Sequence, residues 1–141
     1  MGKTVYVASR FNKRLKVKEI FSRLEKLGYS ISYDWTNHKS IKPYEDNEEL
    51  SRDYSIEDIK NSIQSDYFIL LTSEAGTGMY VKLGSAIFSN IINGKPKIYV
   101  VGNYINRSMF YFHPAVERIK NIEDLLTRLE PEIDNSNPKL S

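Results

Sequence analysis

DYFILLTSEAGTGMYVKLGSAIFSNIINGKPKIYVV, residues 66–101, is the stretch whose reading decides the fold. It opens with Tyr67-Phe68-Ile69-Leu70-Leu71, an unbroken apolar run that reads as a strand buried on both faces. Thr72 to Gly78 follows with turn chemistry, and Met79 to Asn93 has the length and composition of a helix. Gly94-Lys95-Pro96 stops that helix, and Lys97-Ile98-Tyr99-Val100-Val101 reads as a second buried strand. The stretch is therefore a βαβ unit. Its glycines sit where a small molecule would approach the strand end and the helix start.

Upstream, Thr4-Val5-Tyr6-Val7-Ala8 reads as a strand ending in Ser9-Arg10-Phe11-Asn12. A helix is expected from about Lys13 to Leu27, with Leu15, Ile20, Phe21, Leu24 and Leu27 inward and Gly28 as its cap. Tyr29 to Tyr33 reads as a second strand running into Asp34-Trp35-Thr36. Asn37 to Leu50 is polar and aperiodic, a long loop of the kind that serves as a lid or binding loop or is disordered. A helix from Ser51 or Ser55 to Ser65 should turn Ile56, Ile59 and Ile63 inward. Beyond the βαβ unit come an aromatic segment, Met109-Phe110-Tyr111-Phe112, a turn at His113-Pro114 and a helix from Asn121 to Leu129. The polar remainder, 130–141, reads as a flexible tail. Alternating strands and helices predict one α/β domain over 1–129. It should be flavodoxin-like and doubly wound, with about five mostly parallel strands and helices on both faces.

Composition removes several function classes. The 20 basic and 18 acidic residues leave a net charge of +2, too balanced to suggest a nucleic-acid surface. No apolar run is long enough to span a bilayer, and the chain enters a strand at once, leaving no room for a signal peptide. Cysteine is absent, which excludes disulfides and thiolate chemistry and suits a cytoplasmic protein. His38 and His113 lie in unrelated contexts, so no metal site is expected, and nothing calls for a cofactor.

In order and spacing, several residues together resemble the nucleoside 2-deoxyribosyltransferase family and its relatives, the 2′-deoxynucleoside 5′-phosphate N-hydrolases. They are Val5-Tyr6-Val7-Ala8-Ser9, Asp58 followed by Asp66, Gly76-Thr77-Gly78-Met79-Tyr80-Val81-Lys82-Leu83-Gly84-Ser85-Ala86, and Gly94-Lys95-Pro96. The resemblance covers residues 3 to 129. It implies a homodimer or higher homo-oligomer acting on the N-glycosidic bond of a 2′-deoxynucleoside or its 5′-monophosphate. It also implies a glutamate nucleophile directly before the Leu-Gly pair, where a covalent glycosyl-enzyme forms. That position is Lys82 here. The family's orienting aspartate matches Asp58, and a further acid or hydroxyl falls on Gly76, leaving Ser73 or Glu74 as the nearest substitutes.

The lysine matters physically. A cation is disfavoured in the first turn of a helix, where the dipole is positive. N-glycosidic cleavage also builds positive charge on the sugar. One unit charge at about 4 Å and an effective dielectric of about 20 is worth about 4 kcal/mol. Exchanging attraction for repulsion thus raises the barrier by up to about 8 kcal/mol, or about five to six powers of ten in rate. An amine could serve as nucleophile only with a pKa well below about 10.4, as in a dry pocket. Three readings follow: an enzyme with impaired or altered chemistry, an inactive nucleoside- or nucleotide-binding homologue, or an engineered or selected Glu-to-Lys variant of a normal enzyme.

Other residues carry paired readings. Asp58 fits either the site or a capping box with Ser55. Trp35, after Asp34, either stacks on a base or anchors the following loop. Ser9, Arg10 and Phe11 either face the ligand, with Ser9, Arg10 and Asn12 on a phosphate, or precede an ordinary cap by Asn12. Gly76, Gly78 and Met79 form either a ligand loop or a tight turn with core packing. The same resemblance implies a subunit interface at Phe110, Tyr111 and His113; the residues alone fit core packing of an edge segment equally well.

Overall fold

The computed structural model describes residues 2–135. Five strands, β1 (Thr4–Ala8), β2 (Ser30–Ile31), β3 (Tyr67–Leu71), β4 (Lys97–Val101) and β5 (Val116–Ile119), form one all-parallel sheet in the order β2-β1-β3-β4-β5. That order and the intervening helices make the flavodoxin-like, doubly wound α/β fold. Every residue of β3 is buried, and β1 and β4 are buried after their first residue, as an apolar run between two helical layers requires.

Four helices flank the sheet: α1 (Arg14–Lys26), α2 (Glu48–Gln64), α3 (Gly78–Asn93) and α4 (Ile122–Asn135). Helices α1 and α4 are tied by a bidentate Arg23–Glu123 pair at 2.5 and 2.7 Å. The Tyr29 hydroxyl, just after α1, donates to the Leu129 carbonyl of α4 at 2.7 Å. The other pair, α2 and α3, is joined where the Ser89 hydroxyl donates to the Ile63 carbonyl at 3.2 Å. Right-handed crossovers running in opposite directions from β1 and β3 place the two pairs on opposite faces.

Several expectations need correction. The second strand is only Ser30–Ile31, because this edge strand pairs with Thr4 and Val5 alone. Leu15 is 73% exposed; the inward stripe of α1 is Val17, Ile20, Phe21 and Leu24, and a residue two before Val17 falls off it. Phe11–Lys13 is a separate 3-10 turn, and no side chain of Asn12 caps α1. Helix α2 begins at Glu48, so Asp58 lies in mid-helix and the capping box with Ser55 falls. Ser55 instead donates to the Arg52 carbonyl at 2.8 Å. Ile56 is exposed and Ile59 and Ile63 only half-buried, because α2 turns Asp58 and the buried Ser62, one helical turn apart, toward the domain.

Met109–Phe112 is a 3-10 turn in which the Ser108 hydroxyl accepts the Phe110 N–H at 3.2 Å. Strand β5 follows it, where the sequence suggested only a turn. Helix α4 continues past Leu129 to Asn135, and 136–141 lie outside the described residues. No helix among the described residues is long and apolar enough to cross a membrane.

Candidate functional site

Strand order reverses between β1 and β3, and the segments leaving these two strands diverge above the sheet. A cavity of about 680 Å³ opens there. Ser9, Arg10 and Phe11 line it from the end of β1, and Gly76, Gly78 and Met79 from the start of α3. Trp35, Asp58 and Lys82 complete the inner wall. Nine residues singled out in the sequence thus meet around one space.

At its base is a three-residue cluster built by three elements. Lys82 projects from α3, and its Nζ lies 3.6 Å from Asp58 Oδ2 of α2. The Tyr6 hydroxyl, from the middle of β1, donates to Asp58 Oδ1 at 2.8 Å. Lys82 Nζ also lies 5.2 Å from the Trp35 ring centroid and 5.6 Å from that of Tyr6, within cation–π range of both. The lysine and aspartate side chains are only 14% and 17% exposed. Burial lowers the Lys82 pKa from the ordinary lysine value, while the Asp58 carboxylate acts in the opposite direction. Burial, reinforced by Asp58, raises the Tyr6 phenol well above its usual value, so its proton stays in the hydrogen bond.

The outer wall comes from the polar segment after Trp35. His38 lies flat on Tyr54, centroids 3.6 Å apart and planes 4° apart, and shares a 2.5 Å hydrogen bond with the Tyr33 hydroxyl. Burial lowers the His38 pKa, with Asp58 opposing the shift and Lys82 adding to it. Lys39, Lys42 and Tyr44 continue this wall. Among the described lining residues, Arg10, Lys39, Lys42 and Lys82 set four cations against the single carboxylate of Asp58.

Three sequence candidates lie elsewhere. Asp34 does not border the cavity; its carboxylate caps the next turn, accepting from the Thr36 backbone N–H at 2.9 Å and from the Thr36 hydroxyl. Glu74 is exposed and turned away, and a hydrogen bond from Tyr104 lowers its pKa. Ser73 is buried and likewise outside the lining. Trp35 forms part of the wall, but its indole N–H donates to the Val7 carbonyl at 2.6 Å, which fixes the ring to the sheet.

Gly76 has φ +122°, and a Cβ there would lie 2.9 Å from Arg10 Cγ, so the position is shaped for glycine. Gly78 is the first residue of α3 and has no positive φ. Of the interface candidates, Tyr111 is fully buried and donates to the Tyr80 hydroxyl at 3.1 Å, a core role. Phe110 is exposed, and His113 Nδ1 accepts the Ala115 N–H at 3.0 Å.

Tyr6, His38, Lys39, Lys42 and Tyr54 were not foreseen as site residues. Tyr6 carried a usable signal, since a phenol inside a buried strand needs a polar partner. The others sit in or beyond an aperiodic segment and had none. Among the described residues, no group of three or more metal-binding side chains could hold a metal ion.

No family model and no curated protein matches the chain by sequence. Among solved structures it is similar to the CMP N-glycosidase BcmB of Clostridium botulinum. The TM-score is 0.58 at 18% sequence identity, over 91% of this chain and 99% of that one. The chain shares the fold of a nucleotide N-glycosidase across nearly its whole length.

Proposed function

We propose that the cavity is a nucleotide site of N-glycosidase type in which Lys82 closes the carboxylate-nucleophile route. The protein binds a nucleoside 5′-monophosphate, a 2′-deoxynucleotide for preference, and releases its base far more slowly than a glutamate-bearing protein would. One observation carries this reading: a largely buried Lys82–Asp58 ion pair at the foot of the cavity, where a departing base would leave positive charge on the sugar. Three things support it. The neighbour's printed substrate, CMP, is a nucleoside 5′-monophosphate. Arg10, Lys39 and Lys42 supply cations for a phosphate. Phe11 and Tyr44, both exposed in part, offer aromatic faces for a base. The expected homo-oligomer also has a candidate surface, since Phe88, Ile91 and Ile92 of α3 are each more than half exposed.

The test follows free base by chromatography. The protein and its Lys82→Glu variant are incubated with the common deoxynucleosides and their 5′-monophosphates. The expected outcome is at least about a hundredfold faster release by the variant, about 2.7 kcal/mol of barrier. Equal, rapid release by both would overturn the proposed role of Lys82. If both are silent yet the nucleotide binds, the second reading, a binding protein without catalysis, takes its place.

A further inference from the structure

A largely buried amine at the foot of a cavity of about 680 Å³ invites a question separate from base release. Lys82 Nζ faces Asp58 Oδ2, while Asp58 Oδ1 is already engaged by the Tyr6 hydroxyl. One carboxylate oxygen is therefore free to exchange a proton with the amine, and the other holds the group in place. The Trp35 and Tyr6 rings cover the nitrogen and offer π-faces to a cation. This is the constellation amine chemistry with a carbonyl needs: a desolvated amine, an adjacent acid–base group and a water-poor wall.

We propose that Lys82 forms an imine with the aldehyde of an open-chain pentose 5-phosphate, the sugar fragment that loss of the base would leave. In the first step Asp58 takes a proton from the Lys82 ammonium. The neutral Nζ then attacks the C1 carbonyl carbon, and the carbonyl π pair moves to oxygen. A proton passes from the newly cationic nitrogen to that oxygen, giving a neutral carbinolamine while Asp58 keeps its own proton. In the second step the nitrogen lone pair forms the C=N bond as the C–O bond breaks. The hydroxyl leaves as water with a proton from Asp58. Nothing is oxidised or reduced, and the net change is aldehyde plus ammonium to iminium plus water.

Charge explains why this chemistry suits the site while base departure does not. An oxocarbenium ion would add a second positive charge beside Lys82. The iminium replaces the ammonium, so the charge facing Asp58 is +1 before and after. Burial also shifts Lys82 toward the neutral amine that must attack. The inference rests on the reading that the cavity admits a phosphorylated pentose, and it requires no base cleavage.

The experiment incubates the whole protein with 2-deoxyribose 5-phosphate and sodium cyanoborohydride, then maps the adduct by peptide mass spectrometry. The expected product carries the sugar phosphate less one oxygen atom, on the peptide containing Lys82 and in preference to all other lysines. Lys82→Arg keeps the charge beside Asp58 and abolishes this adduct. Asp58→Asn slows its formation about a hundredfold, the share of a general acid–base group. Absence of an adduct at Lys82, or labelling spread evenly over the lysines, overturns the imine. Trp35 is the only tryptophan of the chain and borders the cavity, so its fluorescence reports nucleotide binding independently. If no adduct forms at Lys82 but a nucleoside monophosphate still shifts this fluorescence, the imine alone is refuted; absence of both signals refutes the nucleotide site as well.

Discussion

Removing the Lys82–Asp58 pair one partner at a time should reveal a coupling far larger than a surface ion pair gives. At the observed 3.6 Å, two unit charges attract by about 5 kcal/mol at an effective dielectric of about 20, and by about 1 kcal/mol in bulk water. The two side chains are 14% and 17% exposed, which places the pair nearer the first limit; about 2–4 kcal/mol is expected. Lys82→Met should leave Asp58 with only the Tyr6 hydroxyl, and Asp58→Asn should leave a buried ammonium facing an amide. Each single variant is therefore less stable than the original protein. The double variant regains much of the loss, since a neutral pair buries no unpaired charge. Urea unfolding followed through Trp35, 3% exposed and beside the pair, measures all four corners of the cycle. A coupling below about 0.5 kcal/mol, the value of an exposed pair, would refute the reasoning. So would its disappearance in about 1 M salt, which screens surface charges far more than buried ones.

Three further outcomes follow from particular residues. Gly76→Asp should cost about 1–3 kcal/mol of stability and should not increase base release in a Lys82→Glu background. Its backbone is in the glycine region and its Cβ would press on Arg10. His38 has a pKa lowered below 6.5, so its contribution to stability is complete above its unfolded value and is lost as pH falls through the lowered folded one. Melting curves across mildly acidic pH should show that loss, and His38→Asn should remove it; unchanged acid behaviour would exclude His38 as the cause. Ile91→Asp on the exposed face of α3 should shift an oligomer to monomer in light scattering, and an unchanged mass would place any interface elsewhere.

The sheet was legible because its central strands are unbroken apolar runs. Tyr67–Leu71 and Lys97–Val101 could hardly be anything else once Gly94-Lys95-Pro96 separated a helix from the second. The edges were not legible. Strand β5 is four residues with Glu117 and Arg118 at its centre, and β2 is two residues long, so neither presents a period. Helix α2 hid for another reason. It turns a carboxylate and a serine toward the domain and leaves Ile56 in solvent, so hydrophobic periodicity pointed the wrong way round it.

The cavity lining was legible at Ser9 and Arg10, which leave the end of β1; after β3 the reading was mixed, since Gly76 lines the cavity and Ser73 and Glu74 do not. Lys82 and Asp58 came from the resemblance, and the fold brings them into contact across two helices. The outer wall, from His38 to Tyr44, was foreseen as a long loop of lid or binding type, with none of its residues singled out. The His38 side chain is placed by contacts with Tyr33 and Tyr54, which no local pattern encodes.

Calorimetric titration with a 2′-deoxynucleoside 5′-monophosphate and with the corresponding free deoxynucleoside is the most direct test of the central claim, that this cavity is a nucleotide site. The account predicts one ligand per chain, with the monophosphate bound at least about tenfold tighter, about 1.4 kcal/mol, through the cavity's cations. No measurable heat with either ligand, or equal affinity for both, would contradict it.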